Sequence, residues 1–461
     1  MDISLPNTLN YSLDSSMSLP DLYYCDDKLS FAYDTVRVRW VKIIDSAIRD
    51  AKVLIADESR ATGFINKLQQ LLVSLENNEV IQPFTDKEIE LLPELYAYNH
   101  SLAILNQKKL TTWRTGPWLY LECLLYELFR LWAVQLDIDV DIFETLKNQT
   151  FQQSESGVLE LCKHYSSLDF TKSVDSETLR LLFREFIDIS LWGNATDLSL
   201  LAGNVTLDDI KSLQGAEVRK QNEKNILVND IDKAWNHLQS VQSDKKRIDI
   251  VLDNSGFELF ADLIFVLVVL DTRLVDNVHI HCKEIPWFVS DTMPKDFHNL
   301  MAQLVDKSFY PNIKSDEDRA TVIKVHDRIK HYYDSGKLVV ESDPFWTLDL
   351  NFWSIPKYEK LYQNLLQSNL VIFKGDLNYR KLTGDLQWDK TTPFTTAIQD
   401  LATSKLPILS LRTCKADVVV GLPKGVNEQL IETYKSMGNE VGEFWSSSGK
   451  WAVISFSDGK L

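Results

Sequence analysis

Apolar residues recur every three to four positions through the first half of the chain. Val36, Trp40, Ile43, Ile44 and Ile48 share one side of a helix over 31–51. The same spacing predicts helices over 61–77, 86–106, 117–136, 141–153, 158–164, 177–190 and 226–242. The stretch 1–30, with Pro6 and Pro20, reads as irregular. A Trp-Gly-Asn run at 192–194 breaks the helix before it, and the polar Asn194 and Asp197 follow. These residues are a turn or the lining of a cleft.

After Arg247 the period changes. Short β-branched runs at 248–252, 278–283, 337–341, 370–373, 408–411, 418–420 and 452–456 read as strands. Helical spacing falls between them at 257–270, 295–306, 317–334, 358–367 and 427–438. Such alternation predicts an α/β fold: a mainly parallel, Rossmann-like sheet flanked by helices. A large helical N-terminal region precedes it. The boundary lies near 240, giving a helical region over 1–240 and an α/β domain over 241–461. No flexible linker separates the two, so they are expected to pack as one body.

Composition narrows the function classes. The net charge of −17 argues against nucleic acid and acidic membranes as partners, since both attract a basic surface. The five cysteines are scattered without a CxxC pair, which reads as reduced thiols in a cytosolic or nuclear protein. The N-terminus has no basic and apolar leader pattern. The apolar run 264–270 is short and flanked by Asp262 and Asp271, so it reads as a buried helix and not a membrane span.

The strand ends carry the candidate chemistry. Asp253-Asn254-Ser255-Gly256 sits between a strand and a helix, where α/β sheets bind ligands. Asp253 and Asn254 offer hard oxygens suited to Mg²⁺ or Mn²⁺, or else cap the following helix. Asp291, just past the next strand, reaches the same rim if those strands are neighbours. Asp376, Asn378, Arg380 and Lys381 follow the strand 370–373, and Arg412 to Lys415 follow 408–411. Bases beside a helix N-terminus make a phosphate cradle. Other polar residues read more blandly. Arg37, Arg39 and Lys42 are expected in solvent. Glu122, on the apolar helix 117–136, is structurally paired or aimed at a site. His279 and His281 share a strand face as zinc ligands do, but no third ligand is evident.

The DNSG run, Asp291, the run Gly375-Asp376-Leu377-Asn378-Tyr379-Arg380-Lys381 and Arg412-Thr413-Cys414-Lys415, in this order, resemble the metal-dependent damage-control phosphatase family, formerly a domain of unknown function 89. The Arg-Thr-x-Lys element resembles the mark of its sugar-phosphate subfamily III. The runs FAYDTVRVRW, GPWLYLEC and LWGNATDLS are similar to that subfamily too. The resemblance implies hydrolysis of sugar phosphates such as fructose 1-phosphate and fructose 6-phosphate, supported by Mn²⁺, Ni²⁺, Co²⁺ or Mg²⁺. It implies that Asp253, Asn254 and Asp291 hold the metal, with Asp253 and Asp291 catalytic. It further implies that Asp376, Leu377, Asn378, Tyr379, Arg380 and Lys415, beside Asp253 and Asn254, bind the sugar phosphate. The animal branch has also been described as an S-adenosylmethionine-dependent protein-glutamate O-methyltransferase. That alternative wants a glycine-rich turn after the first strand, and DNSGFE has one glycine. A non-catalytic interaction protein would leave the three polar strand ends unexplained. An aspartyl phosphate on Asp253 would call for a second Asp two residues on, where Ser255 stands, so direct attack by water is the expected route.

Overall fold

The computed structural model describes residues 19–168, 170, 175–193, 223–243, 245–439 and 442–460. Asn194 and Asp197 lie outside them. Seven strands form one sheet: β1 Ile226–Asn229, β2 Arg247–Val251, β3 Asn277–Cys282, β4 Leu338–Ser342, β5 Leu370–Lys374, β6 Ile408–Thr413 and β7 Ala452–Ser457. Their order is β1-β7-β6-β5-β2-β3-β4. The run from β6 through β5, β2 and β3 to β4 is parallel. β7 returns antiparallel to β6, and β1 lies parallel to β7 at the edge. The expected α/β architecture is therefore present, with an antiparallel turn-back on one side.

Strand β2 is buried along its whole length, as a central parallel strand covered on both faces must be. Ile248 and Ile250 face a core that includes the helices Phe257–Asp271 and Ser176–Gly193. Val251 faces a second core with Phe345, Trp346, Phe352 and Phe373. Helix Phe257–Asp271 is apolar apart from Glu258 and Asp262 and buried from Phe257 to Leu270, so it is an interior helix.

A third core explains where the N-terminal helices sit. It joins Trp40, Phe64, Trp118 and Tyr126 to Trp287, Phe288, Leu377 and Ala416. Those last four follow β3, β5 and β6. The helical region is thus packed on the carboxyl rim of the sheet. The chain before it ties in as well: Cys25 N donates to Gly116 O, and Ser30 Oγ donates to Asp417 Oδ2 at 2.7 Å.

Several expected elements differ in the structure. The helix expected over 86–106 is two, Asp86–Leu91 and Leu95–Lys108, because Pro93 forces Leu92 into extended backbone. The helix expected over 226–242 begins as β1. Asn229 Oδ1 accepts from Ile231 N at 3.2 Å, which turns the chain before the helix Ile231–Ser240 starts. The strand expected at 418–420 does not form. Its backbone is bonded by side chains instead: Arg412 donates to Val418 O, and Val420 N donates to Tyr379 Oη at 3.0 Å. The helix before residue 194 runs through Trp192 to Gly193. Gly193 lies against Ala261 and Glu258 of the interior helix.

Candidate active site

The turn after β2 is stitched to the segment after β3. Asn254 pairs with Asp291 in an isolated antiparallel bridge. Thr292 N donates to Asp253 O at 2.7 Å, and Ser255 N donates to Ser290 O at 2.8 Å. The expectation that Asp291 reaches the rim of Asp253 holds because β3 is the immediate neighbour of β2. Asp253 and Asn254 do not cap the following helix. The residue at its start is Gly256, at φ 70°, and no side chain bonds there. The two side chains remain at the rim with Asp291, all buried.

Buried partners fix this group. Asn254 Nδ2 donates to Asp253 Oδ2 at 3.0 Å and to Glu258 Oε2 at 2.8 Å, and Ser290 Oγ donates to Asn254 Oδ1 at 2.5 Å. Lys283 Nζ lies 3.2 Å from Asp291 Oδ2. Lys147 Nζ donates to Asp291 O at 3.2 Å and to the carboxylates of Asp141 and Asp296 at 3.0 and 2.8 Å. Burial alone would favour neutral Lys147, but the two carboxylates outweigh it and hold the ammonium charged. Two carboxylates and an amide oxygen are a hard-oxygen set that fits Mn²⁺ or Mg²⁺.

Helix Gly375–Thr383 starts at Gly375, whose φ of 85° turns the chain straight out of β5. Asp376 Oδ1 accepts from Arg412 Nε at 2.7 Å and from Lys415 N at 2.9 Å, which joins the ends of β5 and β6. Arg380 and Lys381 lie in the last turn of this helix, so they do not flank its N-terminus as the sequence suggested. Lys381 bonds the carbonyl of Leu348 among Trp287 and Phe352. Burial, with Lys283 nearby, depresses its affinity for a proton. Arg380 is held on two sides. Its Nε and NH2 donate to Asp385 at 3.0 and 2.9 Å, and its NH1 donates to Glu122 Oε2 at 2.7 Å. Its guanidinium lies 3.8 Å above the Trp118 ring.

Asp253, Asp291, Asp376, Leu377, Arg380 and Lys415 line one cavity. Asn254, Asn378 and Tyr379 do not line it. Asn378 Nδ2 instead donates to the carbonyls of Val251, Leu252 and Lys374. Tyr379 lies under the Arg412 guanidinium. The remaining walls come from Arg39, Trp118, Glu122 and Phe288. Arg39 was expected in solvent. It is the last residue of a π-helical turn, Thr35–Arg39, whose wider winding takes it off the 3.6-residue stripe and into the cavity. Its neighbour Arg37 also bonds inward, to Cys25 O and Tyr33 O. Glu122 fulfils both readings at once: it is paired, and it lines the cavity. Its charge on an otherwise apolar helix was the signal for it.

The histidine pair differs from expectation. His281 does have further ligand-type neighbours: its ligand atom and those of Asp249 and Glu341 lie within 4.8 Å of one another, a group that could hold a metal. Arg247 already donates to both Asp249 oxygens at 2.8 and 2.6 Å, and His281 Nε2 lies 2.7 Å from Asp249 Oδ1. Despite burial, these neighbours keep the Asp249 carboxyl below its usual range. A cation there would have to displace Arg247, whereas the Asp253 rim opens on the cavity.

A family model for the damage-control phosphatase ARMT1-like domain matches residues 35–430, from the π-helical turn to the helix after β6. The chain belongs to that family. A damage-control phosphatase ARMT1 from Xenopus laevis is 34% identical over 454 residues, 93% of this chain and 96% of that protein. The Homo sapiens protein of the same name is 32% identical over 455 residues, covering 94% and 97%. A crystal structure of a DUF89 family protein from Pyrococcus horikoshii aligns with a TM-score of 0.38 at 14% identity, over 80% of this chain and 96% of that one. Membership makes the chain a metal-dependent phosphatase that acts on small-molecule phosphates. The methyltransferase alternative finds no support, since these relatives carry the phosphatase name and the β2 turn offers one glycine. Among the described residues no helix is long and apolar enough to cross a membrane.

Proposed function

We propose that the chain hydrolyses sugar phosphates, fructose 1-phosphate and fructose 6-phosphate among them, by direct attack of water. The observation that carries this reading is the convergence of Asp253, Asp291, Asp376, Arg380 and Lys415 on one cavity from the ends of separate strands. Asp253, Asn254 and Asp291 would hold the divalent cation: Mn²⁺, Ni²⁺, Co²⁺ or Mg²⁺. When bound, such a cation supplies Lewis-acid stabilisation of charge on a phosphoryl oxygen.

The chain's own residues do the rest. The Lys415 ammonium donates to the phosphoryl oxygens and offsets charge that grows on them. Arg380 adds donors from a guanidinium pinned by Asp385 and Glu122. Asp376 positions Lys415 by accepting from its backbone N–H. Asn378 and Tyr379 set the helix and the 418–420 segment around the sugar phosphate. A carboxylate oxygen of Asp253 or Asp291 orients the attacking water and takes its proton. Lys283, 3.2 Å from Asp291 Oδ2, fixes the position of that carboxylate for the step. The five cysteines are all buried and unbridged, which fits a reducing compartment, cytosol or nucleus.

A panel of phosphorylated metabolites, assayed with Mn²⁺ and with EDTA, tests the reading. Release of phosphate from fructose phosphates that EDTA abolishes and Mn²⁺ restores is the expected result. Turnover indifferent to EDTA, or confined to unrelated esters, would refute it.

A further inference from the structure

Two residues of the cavity wall, Arg39 and Glu122, have no role in holding the phosphate, and the charges around them say what they recognise. Glu122 sits between two arginines. Its Oε2 accepts from Arg380 NH1 at 2.7 Å, and its Oε1 lies 3.7 Å from Arg39 NH1 and accepts from Trp40 Nε1 at 3.3 Å. Arg380 is also gripped by Asp385 through two bonds. Among the described residues, Arg39 and Arg380 carry two positive charges, and Glu122 and Asp385 two negative ones. This end of the cavity is electrically neutral, yet it presents donor, acceptor and donor in a row.

The opposite end differs. There Asp253, Asp291 and Asp376 are matched by Lys283, Arg412 and Lys415, so a divalent cation makes that end positive. A phosphate dianion suits it. A second anionic group does not suit the neutral end, where it would meet Glu122 with no surplus cation. A chain of uncharged hydroxyls does suit it, since each hydroxyl both donates and accepts. We propose that Arg39 and Glu122, bordered by the phosphate-facing Arg380, form a hydroxyl-reading subsite, which selects monophosphates with a neutral polyhydroxylated tail over bisphosphates and phospho-acids. This rests on the phosphatase reading above. A site built to bond hydroxyls discriminates strongly against analogues that lack them, because its buried polar groups are then left unpaired.

The test compares kcat/KM of wild type, Arg39→Gln, Arg39→Lys and Glu122→Gln, each with Mn²⁺, on three esters: a hexose monophosphate, phenyl phosphate and phosphoglycolate. Intrinsic leaving-group differences cancel in each variant-to-wild-type ratio. Arg39→Gln should lose at least about 10-fold more on the hexose phosphate than on phenyl phosphate, as expected for a charge-assisted bond. Arg39→Lys should recover part of that loss. Glu122→Gln leaves the wall with a net positive charge, so phosphoglycolate should gain on the hexose phosphate by several-fold, whereas Arg39→Gln should shift the same ratio the other way. Equal losses on all three esters, or charge changes that leave the ratio fixed, would overturn the subsite. Should wild type release phosphate from none of the esters, the phosphatase reading itself fails, which is a distinct outcome. Arg39 is part-exposed at the wall, so its variants test the subsite even if Glu122→Gln, which unpins Arg380, fails to fold.

Discussion

Replacing Lys415 with Ala separates phosphate binding from the scaffold around it. Lys415 is 4% exposed and lines the cavity just past β6. Its backbone N–H donates to Asp376 at 2.9 Å, and that bond survives the substitution. The flanking backbone is anchored independently: Cys414 N donates to Trp451 O at 2.7 Å, and Gly449 N donates to Cys414 O at 2.9 Å. Truncation therefore removes one ammonium and leaves a polar gap that water can fill. A charge-assisted hydrogen bond contributes about 1.5–3 kcal/mol. At about 1.4 kcal/mol per decade, kcat/KM for fructose 1-phosphate should fall roughly 10- to 150-fold. Mn²⁺ affinity without substrate should barely change, because a protonated lysine cannot ligate a cation. Steady-state kinetics and calorimetric Mn²⁺ titration read the two quantities separately. Wild-type kcat/KM would show that Lys415 does not touch the ester, and a large loss of Mn²⁺ affinity would place it at the metal end instead.

Asp253→Ala should abolish both turnover and Mn²⁺ binding while the fold persists; full Mn²⁺ binding by calorimetry would remove Asp253 from the metal set. Lys147→Met strands Asp141 and Asp296 and should destabilise the fold by about 3–5 kcal/mol, the usual cost of breaking a buried ion pair, read as a lower urea midpoint, while loss of its bond to Asp291 O should weaken Mn²⁺ binding. An unchanged midpoint would contradict the pairing. Asp417 is raised to about 6, chiefly by burial. The unfolded chain ionises this group near its ordinary value of 3.8 and the folded chain near 6, so folded molecules hold a proton that unfolded ones release, and stability falls as pH rises through that window. Asp417→Asn should flatten the urea midpoint between pH 4 and pH 6, and an unaltered pH slope would refute the assignment.

Much of this molecule could be read from its sequence, for identifiable reasons. Parallel strands buried on both faces appear as continuous apolar runs, so β2, β5 and β6 were legible along with the polar residues that end them. The features that escaped depend on partners far away in the chain. β1 looked helical because a four-residue edge strand has too few positions to show a period, and β7 supplies its pairing. The valines at 418–420 look like a strand but bond to Arg412 and Tyr379 side chains. Arg39 escaped because a π-helical turn shifts its phase, which no count at 3.6 per turn reveals. Asn378, Tyr379 and Lys381 were drawn to the site by proximity in sequence, yet one turn of helix aims Asp376, Leu377 and Arg380 at the cavity and the others elsewhere.

One pattern lay open in the sequence and carries more than it first suggested. Glu258 and Asp262 are four apart on an interior helix that is otherwise apolar, and Asn254, in the turn before it, extends this polar line by donating to Glu258. Lys374 closes it, donating to Asp262 at 2.8 Å and lying 3.2 Å from Glu258. Ser190 donates to Asp262 at 2.5 Å. Burial raises Asp262 to about 6 even with Lys374 beside it, so the line costs stability that an apolar set would not. What it gains is orientation. The carboxyl oxygens Asp253 Oδ2 and Glu258 Oε2 both face the Asn254 amide and accept from it. They must therefore meet its NH2 group, which turns Oδ1 to the other side, toward Ser290 at the rim. The buried carboxyl groups decide which end of an amide points outward, and only the oxygen end can serve a cation.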